Sequence, residues 1–159
     1  MRYRRPTEAD YPAIAEVVDD WWGERRQVDQ LPRLWLQHFS GTSWLAEDDA
    51  GRFVGFLVGF ISPDDPTTAV CHMVGVAPDH RRRGIGRALY GRFQGDAVAA
   101  GARRIVAVAW PGEPAAVRFH VALGFEPRTG PGTQRLYGTP AVPEYDFGRV
   151  DRVVFERPA

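Results

Sequence analysis

The chain has 159 residues, 44% apolar and 25% charged, enough to bury a core and too apolar for a disordered segment. Its 20 basic and 20 acidic residues cancel, which argues against a nucleic-acid binder that works by bulk charge. The single cysteine, Cys71, excludes an internal disulfide framework and a multi-cysteine zinc site, and all 20 basic residues are arginine, which removes Schiff-base and P-loop lysine chemistry. No stretch approaches the roughly 20 apolar residues that span a bilayer. No apolar signal core follows the basic start Met1–Pro6. The expectation is one cytoplasmic domain over 1–159, without a metal.

Residues 2–5 alternate weakly as a short strand. Thr7 opens a helix as its cap, and Ile14, Val17, Val18, Trp21 and Trp22 share one face at helical spacing before Gly23 ends it. Leu31, Leu34, Trp35 and Phe39 repeat that spacing, which predicts a second helix over 28–38. The period then shortens. Ser43–Glu47 and Phe53–Ile61, around an Asp-Asp-Ala-Gly turn, read as a β-hairpin, and Thr68–Val76 as a further strand. From Gly84 a helix buries Ile85, Leu89, Phe93 and Ala97. Its interior glycines, Gly91 and Gly95, suggest a closely packed neighbour. Ile105–Trp110 is a strand, Pro114–Leu123 a helix stopped by Gly124, and Phe125 begins another strand. Residues 128–149 read as a long Gly- and Pro-rich loop, either a lid or dimer arm or ordered surface padding, before a last strand over 152–156. This order predicts an α/β fold: a mixed, mostly antiparallel sheet with helices on both faces.

The most informative segment runs from Val74 through Arg81-Arg82-Arg83-Gly84-Ile85-Gly86-Arg87. A strand ends, a basic turn follows, and a helix starts on glycines. The first amides of a helix have no internal partner, and the helix dipole adds positive potential, so a pyrophosphate fits there. A Walker loop is excluded by the missing Gly-Lys-Ser/Thr. A Rossmann fingerprint is excluded because Leu89 stands where its third glycine belongs. The bland reading is a glycine turn beside a solvated arginine run.

The run Arg81–Gly86 resembles the Gln/Arg-x-x-Gly-x-Gly/Ala signature of the GCN5-related N-acetyltransferase (GNAT) superfamily. Val74–Pro78 is similar to the strand and proline before that signature, and Ala116–Phe125 resembles the superfamily's second motif. The resemblance implies an acetyl-CoA-dependent transferase that moves an acetyl group directly to an amine. It implies that the diphosphate rests on Arg81, Arg82, Arg83, Gly84, Ile85, Gly86 and Arg87, and that the pantetheine arm pairs with the main chain of Val74, Gly75 and Val76. That strand is expected to diverge from Ile105–Trp110 and admit the arm. The alternative is a non-catalytic acyl-CoA sensor of the same fold.

Direct transfer needs a base, oxyanion donors and an acid for the thiolate. By resemblance, amides near Val74–Val76 are the oxyanion donors. His120 stands where the family often has a tyrosine, either as the acid or as a neutral packed ring. Glu113 replaces the family's asparagine and is expected at a helix start. His72 is the first candidate base, since it shares strand parity with Val74 and Val76, against a ring packed in the sheet; Glu47 is the second. Cys71 should point away from His72 and be inert. The acceptor is an amine on a small molecule or peptide. Its pocket is either an aromatic and acidic one from Trp21, Trp22, Trp35, Asp19, Asp20, Glu24 and Asp29, blurred by Arg25, Arg26 and Arg33, or those tryptophans are core. A homodimer is possible; neither nucleic acid nor membrane is expected as a partner.

Overall fold

Helix α1 (Tyr11–Trp21) turns Ile14, Val18 and Trp21 inward, as its spacing dictates. The coordinates are a computed structural model describing residues 1–23 and 26–159; Glu24 and Arg25 lie outside the described residues. Ahead of α1, Asp10 reaches back to accept from the Thr7 amide at 2.7 Å. Gly23 leaves the helix at φ +69°, a conformation that suits glycine. The expected second helix over 28–38 is corrected. A 3-10 turn (Val28–Gln30) and a short α2 (Leu34–His38) replace it. Pro32 has no N–H to donate and disfavours a helical conformation at Leu31, which adopts φ −126°, ψ 62°.

The strands are β1 (Arg2–Arg4), β2 (Trp44–Glu47), β3 (Phe53–Ile61), β4 (Thr68–Val76), β5 (Arg104–Ala109), β6 (Glu126–Pro127), β7 (Gln134–Leu136), β8 (Thr139–Asp146) and β9 (Val150–Pro158). They form one nine-stranded sheet in the order β1-β2-β3-β4-β5-β9-β8-β7, with β6 also on β9. Among the described pairs only β4–β5 is parallel; the rest are antiparallel. The mostly antiparallel mixed sheet is therefore observed. The loop expected over 128–149 is corrected. It contains the β7–β8 hairpin, closed by Tyr137 and Gly138 at φ 49° and 82°, a two-residue turn with both φ positive, and β8 pairs onto β9.

Helix α3 (Ile85–Ala99) covers one face and buries the Ile85, Leu89, Phe93 and Ala97 stripe. Gly55 and Gly59 of β3 make room for it: a Cβ on Gly59 would lie 2.6 Å from the Phe93 ring. Helix α4 (Pro114–Ala122) lies on the same side, with the Phe119 ring against Gly86. The opposite face carries α1 and α2, with Trp22 over Phe56 and Trp35 over Phe60. Gly91 and Gly95 do not mark close packing. Nothing lies within 4 Å of a Cβ built on either; the close approach on α3 is at Gly86.

One irregularity matters for the site. Val58 pairs with Met73 but Gly59 pairs with Cys71, so His72 is an extra residue, a β-bulge. Past it the strand's parity is shifted. Cys71 falls on the α3 face with Val74 and Val76, and His72 turns to the α1–α2 face, where it stacks on Trp35 at 4.0 Å. The expectation that His72 shares a face with Val74 and Val76 is corrected by this bulge.

Candidate active site

Strands β4 and β5 pair only from Thr68–Arg104 to Cys71–Ala107. Beyond that, β4 continues along β3 while β5 continues along β9, so the two strands part. The cleft between them is walled by His72, Met73 and Val74 on one side and by Ala107–Trp110 on the other. Trp22, Gln27 and Gln30 close it on the α1 face, Ala116 and His120 on the α4 face, and Arg152 lines it from β9.

The main chain of β4 is open toward this gap. The Ala77 amide donates across to Val54 on β3 at 2.9 Å, so by alternation the groups of Val76 and Val74 face the other edge, and those of Gly75 face β3. The Val76 carbonyl there accepts from Arg81 Nε at 3.1 Å. A chain carrying amide groups can add to such an edge as an extra strand.

The basic turn continues from β4. Gly84 caps α3 at φ +81° with open space above it, and Arg82 adopts φ 63°. Among the described residues no acceptor engages the amides from Arg82 to Arg87. They point outward at the positive end of α3, an arrangement that suits a diphosphate. The arginines divide. Arg81 is exposed but tied to the protein, donating to the carbonyls of Val76 and Trp21. Arg87 donates to the Ala122 carbonyl at the end of α4 at 3.0 Å. Arg82 and Arg83 are exposed, and among the described residues their side chains have no partner. Ile85 is a core residue. Gly86 is small because Phe119 packs on it: a Cβ there would lie 2.8 Å from the ring.

His72 Nε2 lies 2.6 Å from the Gln30 carbonyl. A carbonyl only accepts, so Nε2 carries the proton and Nδ1 keeps its lone pair. Burial pushes the His72 pKa below its ordinary value, partly opposed by the Gln30 contact. The ring is therefore neutral at pH 7 and able to take a proton. His120 is buried, with Nδ1 2.8 Å from the Ala116 carbonyl and Nε2 3.0 Å from the Tyr90 hydroxyl. Both nitrogens are thus engaged inside the protein, and the ring stacks on Phe155 at 4.8 Å. Burial lowers its pKa as well.

Glu47 is not brought to the cleft. Arg4 Nε meets its carboxylate at 2.6 Å, and Arg4 also holds Asp10. Glu113 stands at the α4 N-cap and lines the cleft. Of the residues expected for an aromatic and acidic pocket, Trp22 lines the cleft and Trp35 stacks on His72, while Glu24 lies outside the described residues. Trp21 is core against Phe53, Asp19 accepts from the Gln27 and Val28 amides, and Asp29 pairs with Arg26. Cys71 is buried, and burial pushes its thiol up to about 12. Reasoning on the sequence missed Gln30, which orients His72, Tyr90 behind His120, and Arg152. Arg152 carried no local signal, because its strand reads as an ordinary alternating edge.

The family model of the acetyltransferase (GNAT) family matches residues 11–125. The chain belongs to this family. Two solved structures have the GNAT fold in common with it. The phosphinothricin acetyltransferase of Sinorhizobium meliloti, in complex with acetyl-CoA, superposes with a TM-score of 0.73 at 21% identity over 99% of this chain and 87% of that one. The diaminobutyrate acetyltransferase of Paenibacillus lautus, with 2,4-diaminobutyric acid and coenzyme A, gives 0.69 at 24% identity over 99% and 94%. A curated L-2,4-diaminobutyric acid acetyltransferase of Nocardia farcinica is 34% identical over 90 residues, covering 57% of this chain and 46% of that protein. The chain thus spans about half the length of the curated relatives it matches. No helix of the described residues is long and apolar enough to cross a membrane, and they contain no cluster of metal-ligating side chains.

Proposed function

We propose that this GNAT protein moves an acetyl group from acetyl-CoA directly to a primary amine on a small molecule. The observation that carries the reading is the row of amides without acceptors from Arg82 to Arg87, joined by the turn after Val76 to the strand that walls the cleft. Acetyl-CoA supplies the acyl group as a thioester. Arg82 and Arg83 add charge for its phosphates, and the open edge at Val74 and Val76 receives its amide-bearing arm. The amine enters from the α1–α2 face, where His72 Nδ1 takes its proton. Gln30 and Trp35 hold that ring. The amine nitrogen bonds to the carbonyl carbon, the carbon–sulfur bond breaks, and the thiolate leaves and takes a proton from solvent, while His72 gives the amine's proton back to solvent. His120, with both nitrogens engaged, forms the wall on the α4 side rather than the proton donor. The relatives' named substrate, a diamine amino acid, supports a small-molecule acceptor. A poised base in the cleft favours an enzyme over a sensor. Calorimetric titration with acetyl-CoA and thiol release with a panel of primary amines test this. Heat and release are expected; neither heat nor release refutes it.

A further inference from the structure

We infer that Arg152 selects acceptors in which the amine shares a small molecule with a carboxylate. This rests on the acetyl-transfer reading and names its substrate class. Phe155 of β9 faces α4, where it stacks on His120. Side chains alternate along a strand, so Arg152 faces the other side, the α1–α2 side that also holds His72 and Gln30. Its side chain is only 14% exposed and lines the cleft. Asp146 of β8 takes Nε at 2.6 Å, which fixes the plane of the guanidinium. Among the described residues neither Nη has an acceptor, and no buried polar atom is left unsatisfied, so these donors open onto the cleft. A guanidinium cannot shed its charge, and the donors left over match the two oxygens of a carboxylate. The second ammonium of a plain diamine can make no hydrogen bond to these donors and is repelled by the guanidinium itself. The diphosphate is not the occupant, since its cradle opens at the start of α3, on the opposite face of the sheet.

The test uses amine pairs that differ by one carboxylate: 2,4-diaminobutyrate with 1,3-diaminopropane, ornithine with 1,4-diaminobutane, and lysine with 1,5-diaminopentane. For at least one pair the intact protein should favour the amino acid in kcat/KM by about 30-fold, the scale of a charged hydrogen-bonded pair. In Arg152→Gln that ratio should fall to within about threefold, with acetyl-CoA titration heat reporting that the fold survives. If this variant loses the heat, Arg152→Lys and Asp146→Asn replace it. Each should raise KM for the amino acid at least about threefold while kcat holds, because the fork or its anchor is lost. The inference is overturned if no pair prefers the carboxylate, if the preference survives in Arg152→Gln, or if KM is unmoved in both replacements. It is also overturned if acetyl-CoA binds but no carboxylate-bearing amine releases thiol. Absence of acetyl-CoA heat in the intact protein instead sinks the reading beneath it.

Discussion

Two alanine substitutions on helix α3, five residues apart, should differ in stability, with Gly86→Ala below Gly91→Ala. At Gly86 a Cβ would lie 2.8 and 2.9 Å from Cζ and Cε2 of Phe119. Ordinary carbon contacts lie at about 3.5–4.0 Å, so the ring or α4 must give way by roughly 0.7 Å. Such overpacking costs about 1–3 kcal/mol. At Gly91 nothing lies within 4 Å, and alanine there gains only its helix propensity, about 1 kcal/mol. Propensity favours alanine at both positions, so the difference between the two variants isolates the clash. For a chain of this size, 1 kcal/mol shifts the melting temperature by roughly 2–4 °C. Gly91→Ala should therefore melt about 2–4 °C above the parent, and Gly86→Ala roughly 2–12 °C below Gly91→Ala. Differential scanning calorimetry reads both. Adding Phe119→Leu to Gly86→Ala should recover most of the gap. Gly86→Ala melting level with or above Gly91→Ala would refute the packing argument and return the signature glycine to phosphate approach alone.

Other outcomes follow from the site. Replacing Arg82 and Arg83 together with glutamine should weaken acetyl-CoA binding about tenfold, and less at high salt; Arg81→Gln should lower the melting temperature, since its guanidinium ties the turn to Trp21 and Val76. His72→Gln should remove the acidic limb of the pH–rate profile, with an unchanged limb dismissing His72 as the base. Burial holds the pKa values of His72 and His120 below their ordinary 6.5, so protons bind the unfolded chain first. Stability should be full above about pH 6.5 and fall as pH drops toward the depressed folded values, and His72→Gln should flatten that fall in a melting series. Cys71, its thiol pushed up to about 12 by burial, should resist iodoacetamide at pH 8 in the folded protein and react on unfolding; equal rates would contradict its burial.

The stretches legible in the sequence were those where a local pattern and the packing agree. Ile85, Leu89, Phe93 and Ala97 recur four apart, and nothing competes with the helix they imply. The glycine-led start of α3 was legible for the same reason. Its glycines proved to have separate causes: Gly84 meets a left-handed φ, while Gly86 meets Phe119, a residue of another helix that no local window contains. The hairpin within 128–149 was hidden by its composition. Two prolines in β8 and scattered glycines mimic a loop, whereas the informative pair was Tyr137–Gly138 between strands only three and eight residues long. Pro32 is the converse case: apolar spacing implies one helix over 28–38, and a residue that does not fit inside a helix divides it.

His72 carries the most consequential difference. Read as a period-2 strand, Val70 to Val76 places His72 with Val74 and Val76. The bulge opposite Val58 and Gly59 moves it to the other face, and no residue of β4 encodes that shift by its own type. It also divides the labour of one strand. Val74 and Val76 present their main chain to the gap and their side chains to α3, while His72 joins Gln30 and Trp35 on the face from which an amine would arrive. Without the extra residue the imidazole would point into the packing of α3, where Cys71 and Tyr90 already lie buried. In the proposed reaction, a base on the acceptor face and a binding edge on the cofactor side would both come from the short run His72–Val76, and that is possible only because the strand is irregular at His72.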